Sequence, residues 1–311
     1  MRASKSLQVL AVSFVASLLA LPAHAIFRAY LASDGSDANP CTLVAPCRLL
    51  PAALAAVDSG GEIWMLDSAN YNTASVSIAK SVSILSVPGS VGSILAIGGP
   101  AINVTTASLK ISLRNVVIGN LAGAGGTDGI AVSGSRLILE DSVVQGVPQR
   151  GVYVTGVGGK MHVVNSTIRN TGNYAFQIEG GAVGVASGSQ FINNTSNVIV
   201  LGTVAGVTTA TVTNCVISGG DIGVGAIPSA GGMIATLAMT GSTVEGTLRA
   251  VYAETLGAGF ATVTVGRNAI FDNGYIYYKV GVGASVVSHG DNQYAGASST
   301  ALGTVTAQGS F

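Results

Sequence analysis

The chain has 311 residues, with 14 Lys and Arg against 14 Asp and Glu for a formal net charge of +0. That balance argues against nucleic acid or an anionic membrane as the main partner, since both call for a basic excess. Charged residues make up only 9% while Gly numbers 43, a composition of short strands and tight turns rather than of long helices.

Arg2 and Lys5 precede an uncharged apolar run, Leu7–Leu21, and Pro22-Ala23-His24-Ala25 supplies a small-x-small cleavage site. This order reads as a secretory signal peptide over residues 1–25, cleaved after Ala25, because the run is short for a membrane-spanning helix. The expected location is therefore secreted or periplasmic. The mature chain keeps 14 − 2 = 12 basic residues against 14 acidic, a net of −2. No later run is long enough to span a membrane as a helix.

Residues 26–60 read as an N-terminal strand (Phe27–Ala32), a polar loop and a capping helix. Cys41 and Cys47 lie six residues apart in that loop, and in an oxidising compartment they pair as one local disulfide. Asp34, Asp37 and Asn39 lack the further ligands and closing Glu of a calcium loop, so they are read as turn-shaping residues and no metal is expected. Cys47–Val57 is the one convincing helix. Pro51 suits its first turn, Leu50, Leu54 and Val57 share a face, and Gly60-Gly61 would stop it. An apolar-faced helix placed before a run of short strands is most simply the lid on the open end of a solenoid.

Residues 61–311 contain strand-like pieces only, from Glu62–Leu66 onward, and from Lys110 they repeat. The phrase LKISLRNVVIGN around Asn115 recurs around Asp141, Asn165, Gly188, Asn214, Gly241, Arg267 and Asp291. Subtracting successive anchors gives 26, 24, 23, 26, 27, 26 and 24, the period of a solenoid. Apolar residues stand inward at −4 and −2 before the anchor in most repeats, and the inward set continues after it with Ser or another small residue at +1 and Ile, Val or Phe at +3. A strand keeps period two, so this phase slip requires a bend at the anchor, and Asn, Asp and Gly tolerate the left-handed backbone such a bend needs. Asn115, Asp141, Asn165 and Asn214 thus form a structural bend ladder, one able to pass amide hydrogen bonds from coil to coil. Cys215 takes a place held elsewhere by Ser142, Ser166, Ser189 and Ser242, the place of a small buried residue.

Three short strands per coil, an Asn-rich bend and the mid-twenties period resemble a right-handed parallel β-helix of the pectin-lyase-like superfamily. The stretch SDGSDANPCTLVAPCRLLPAALAAVDSGGEIWML resembles the opening of secreted bacterial β-helix proteins, in which a capping helix leads into the first coil. The resemblance implies an all-β solenoid of about nine to ten coils. A leucine-rich repeat is disfavoured because its Leu-x-x-Leu-x-Leu run is not written here. An outer-membrane barrel, despite the terminal Phe311, would need strands about 10 residues long.

Stacked coils place outward residues in columns. Lys110, Arg136 and Lys160 share offset −5, about 4.8 Å apart per step, with His162 close by. Such a ladder suits an acidic polysaccharide, though Arg114 and Glu140 in adjacent coils would pair and make part of the face an ordinary solvated surface. Tyr153 and Tyr252 read as outward aromatics on the strand after the variable loop, with Tyr277 or Ile276 further on and Gln177, Ile199 and Gly223 between them. Thr209, Thr211, Thr213, Thr236, Thr240, Thr262 and Thr264 form neutral outward columns, where Thr is a good strand residue.

Polygalacturonase-like helices carry Asn-Thr-Asp, Asp-Asp and Gly-His-Gly, and none is present; Ser288-His289-Gly290-Asp291 comes nearest. Pectate-lyase-like members set calcium-binding Asp residues beside a catalytic Arg or Lys, and no acidic cluster shares the basic columns. The expectation is an exported, monomeric, non-catalytic binding or adhesion module for a polysaccharide or cell-surface glycan, with no cofactor. The alternative is a polysaccharide lyase or glycoside hydrolase acting on acidic polysaccharide through the Lys110, Arg136 and Lys160 face.

Overall fold

The computed structural model describes residues 26–309. The signal peptide expected over residues 1–25 and the terminal Phe311 therefore lie outside the described residues. From Ile26 the chain winds into three parallel sheets. The first holds 12 strands and takes the strand before each anchor, the second holds 10 and takes the strand after it, and the third holds 10 and follows the variable loop. Ten stacked levels are separated by 10 − 1 = 9 turns of chain, so the expected parallel solenoid of nine to ten coils stands.

One coil shows why the sequence winds this way. In Lys110–Arg114 the inward Ile111 and Leu113 are buried between exposed Lys110 and Arg114. The chain then turns at Asn115 (φ 53°), and Val116 and Ile118 resume the inward set. The same left-handed bend recurs at Asp141, Asn165, Gly188, Asn214, Gly241 and Arg267, with φ between 46° and 61°. Asp291, the last anchor, does not share it. A second column of left-handed residues stands five positions later, at Gly146, Asn170, Asn193, Gly219, Gly246, Asp272 and Gly296. These two bends, one residue wide each, turn the wall of the solenoid from the first sheet to the second and from there into the variable loop.

The hydrogen-bond ladder runs one residue further in than expected. Among the described residues only the last two anchors are joined through a side chain, Arg267 N–H donating to Asp291 Oδ1 (2.9 Å). Instead the buried residue after each anchor accepts from the backbone of the preceding coil. Val116 N–H donates to Ser142 Oγ (3.1 Å), Ser142 N–H to Ser166 Oγ (3.1 Å) and Ser166 N–H to Ser189 Oγ (3.2 Å). Cys215 interrupts the series and it resumes from Cys215 N–H to Ser242 Oγ (3.1 Å), then through Asn268 and Asn292. The inward-facing N–H at each bend has no strand partner, and an inward hydroxyl or amide satisfies it where water cannot reach. Burial pushes the Cys215 thiol upward, so it stays protonated.

The N-terminal cap is shorter than the sequence implies. The helix, α1, spans Leu50–Ala56 rather than Cys47–Val57. Asp37 Oδ1 accepts the N–H groups of Arg48 (2.9 Å) and Leu49 (2.7 Å), which holds that entry extended, and Leu49 sits at φ −119°. Past Ala56 the chain goes directly into the strand Val57–Met65, and Gly60 and Gly61 lie inside that strand instead of ending the helix. Strand Ile26–Leu31 pairs with it as the first member of the long sheet, so the cap shares one core with the coils. Leu50, Ala53 and Leu54 are the residues α1 buries. Cys41 and Cys47 are joined in a disulfide, which pins the preceding loop.

Candidate functional site

The basic ladder exists as a geometric object. Arg136 pairs with Lys110 on one side and Lys160 on the other, in register on three adjacent strands, and all three side chains are exposed. Among the described residues none of the three forms an ion pair. A recess of about 280 Å³ opens between the first two rungs, with Ser83, Ser112 and Ile138 beside Lys110 and Arg136. His162 is half-buried on the strand of Lys160, and burial, then Arg136 and Lys160, push its imidazole below the ordinary histidine range. Arg114 lies at the bend side of the same face. Its Nε is 3.9 Å from Glu140 Oε2 but only 3.3 Å from Asp141 Oδ2, so the expected Arg114–Glu140 pair is secondary to a contact with the anchor itself. Two carboxylates therefore share one guanidinium, and the ladder keeps its charge.

Tyr153 and Tyr252 belong to the outer face of the third sheet and do not join the ladder. Their column reads Tyr153, Gln177, Ile199, Gly225, Tyr252, Tyr278. Gly225 thus stands where Gly223 was expected, and Tyr278 replaces Tyr277, which faces the core. The third-sheet strands begin with an extra inward residue, as at Gly223 before Val224, and this moves the outward phase by one. Tyr252 is also not an exposed ring: 5% of it is accessible. The Arg249 guanidinium lies 4.7 Å over it, Tyr278 packs at 5.5 Å, and its hydroxyl donates to Glu254. With no side chain on Gly225, Ile199 closes in beside it, making a small apolar cluster of Ile199, Ile222 and Tyr252 outside the main core. Tyr153 is half-buried under Arg150, whose guanidinium lies 3.8 Å from the ring and grips Asp128 with two bonds of 2.6 and 3.0 Å. The Tyr153 hydroxyl donates to Glu179 (3.3 Å). Arg150 thus occupies a face of the Tyr153 ring, and Glu179 takes its hydroxyl proton.

These Arg–Tyr–Glu groupings were missed in the sequence because the loop before the third strand varies in length, which hides Arg150 and Arg249 from any fixed offset to the anchors. Among the described residues no group of three or more acidic, His or Cys side chains is placed to hold a metal ion.

A family model described as "Right handed beta helix region" matches residues 100–298. The chain belongs to the right-handed β-helix family. Among solved structures, this β-helix superposes on a pectate lyase, Pel9A, with a TM-score of 0.69 at 16% identity, over 89% of this chain and 78% of that one. XylC in complex with xylose gives 0.53 at 9% identity, over 86% and 74%. ORF18 of Geobacillus virus E2 gives 0.50 at 13%, over 83% and 56%. At such identities the likeness is one of fold. No curated protein sequence matches this chain.

Proposed function

We propose that this β-helix is an exported, non-catalytic binding module that holds an acidic polysaccharide along the outer face of its first sheet, acting as a monomer. The observation that carries the reading is the register of Lys110, Arg136 and Lys160 on three adjacent strands, with no carboxylate partner among the described residues. Unpaired cations in a row about 4.8 Å apart match a polymer that carries a carboxylate on each sugar, and the guanidinium of Arg136 can hold one of them through two bonds. The disulfide between Cys41 and Cys47 fits an oxidising compartment, where such polymers occur. Binding without turnover fits a ladder beside which Glu140 and Asp141 are both engaged by Arg114.

Affinity electrophoresis in gels containing polygalacturonate, alginate or a neutral glucan tests this. The expected result is retention by a uronate polymer that weakens as salt rises, with Arg136→Ala plus Lys160→Ala lowering affinity about tenfold or more, since each charge-assisted contact is worth roughly 1.5–3 kcal/mol before screening. Equal retardation of variant and wild type, each measured against its own mobility in a polymer-free gel, in every uronate gel would overturn the reading. Release of unsaturated products from the same polymers would assign a lyase instead.

A further inference from the structure

Further along the same sheet, the outward column nearest the bend carries Ser187, Thr213, Thr240 and Gly266 on four successive strands, with His289 beside Gly266. Gly266 breaks a run of hydroxyl residues, and its backbone does not require it, since its φ is not positive. A Cβ there would stand 3.3 Å from His289 Cδ2 and 3.4 Å from Asp291 Oδ1. What the glycine leaves is space. A recess of about 290 Å³ opens over it, walled by Thr240, Thr264, Arg267, His289 and Asp291.

The walls are held in place. Arg267 N–H donates to Asp291 Oδ1 at 2.9 Å, and its Nη2 donates to Thr240 Oγ1 at 3.3 Å. His289 Nδ1 lies 3.2 Å from the Gly309 carbonyl. One guanidinium and one carboxylate cancel in formal charge, so the recess does not select an anion as the ladder does. It offers donors from Arg267, acceptors from Asp291, and hydroxyls on Thr240 and Thr264 that can do either. Sugar hydroxyls, which both donate and accept, are the complement of such a set. The volume is at the lower end for small-molecule pockets, enough for one ring rather than an oligosaccharide.

The geometry points to a second ligand site here, one that takes a single uncharged pyranose ring through its hydroxyls. It lies four strand steps from Lys160, about 19 Å along the stack, and stands whether or not the ladder binds uronate.

The chain has three histidines, so the imidazole protons of His289 can be followed individually by NMR. Titration with the methyl glycosides of glucose, galactose, mannose and xylose, and with methyl galacturonoside, reads the site. At least one neutral glycoside is expected to shift the His289 signals and leave those of His162 in place. Gly266→Thr fills the recess with the residue that the adjacent coil carries at that position. Arg267→Asn removes the guanidinium but keeps a residue suited to positive φ. Each is expected to weaken binding tenfold or more, while Arg136→Ala leaves it unchanged. The inference is overturned if no neutral glycoside moves His289, if the galacturonoside alone does, or if a folded Gly266→Thr or Arg267→Asn binds as the wild type.

Discussion

At the scale of single residues, the charge state of His162 decides how the basic face behaves with pH. Half burial, then the nearby Arg136 and Lys160, disfavour its protonated form, so the ring is neutral at pH 7 and gains its proton only below the ordinary value of 6.5. Each proton gained adds a cation to the ladder. Retention by polygalacturonate, which stays ionised down to about pH 5, is therefore expected to strengthen as pH falls from 7 to 5, and His162→Ala to flatten that rise in the same gels. For folding the sign is opposite. A histidine with a depressed folded value contributes stability that is present above 6.5 and is lost as pH falls through the folded value. The residues of the ladder were legible in the sequence, because a constant offset from each anchor put Lys110, Arg136 and Lys160 in one column. Tyr252 was not legible in the same way. Its outward direction was right, but its burial depends on Arg249 and Tyr278, which no offset reveals.

At the scale of elements, the bends govern the fold more than the strands do. A β-branched residue cannot enter the left-handed region without its Cβ crowding the carbonyl, at a cost of about 1–2 kcal/mol. Asn165, at φ 46°, tests this. Asn165→Val is expected to destabilise the protein by about that amount in urea denaturation, whereas Asn165→Gly stays within about 0.5 kcal/mol of wild type because glycine reaches the same φ freely. Equal losses for both would mean that the Asn165 side chain, not the bend, supplies the stability. The first bend could be read from the phase slip in the hydrophobic pattern. The second could not be placed from pattern alone, since the alternation restarts only after a loop of varying length. The extent of α1 was misjudged for a different reason. Ala-rich sequence favours helix through its entry and exit, but Asp37 captures the entry N–H groups and pairing of Val57–Met65 with Ile26–Leu31 claims the exit for a strand.

At the scale of the whole molecule, each coil touches only its neighbours, so stability is close to a sum of coil and interface terms. The N-terminal coil depends on α1 for cover. Leu50 is fully buried there, and Leu50→Ala is expected to cost about 2–5 kcal/mol. Hydrogen exchange should show the loss concentrated in Ile26–Leu31 and Val57–Met65, with the coils beyond Asn165 little changed; uniform loss of protection would contradict the nearest-neighbour picture. The sequence by itself determined the solenoid, its period, the inward residues of the two strands that flank each anchor and the first bend, because these are periodic and a periodic pattern needs no long-range knowledge. Only the tertiary structure decided which outward residues remain free. Register across strands 23 to 27 residues apart separates the unpaired ladder of Lys110, Arg136 and Lys160 from the engaged Arg114, Arg150 and Arg249. It also turns one unremarked glycine, Gly266, into the floor of a recess, because a residue without a side chain matters only through the neighbours that would have touched it.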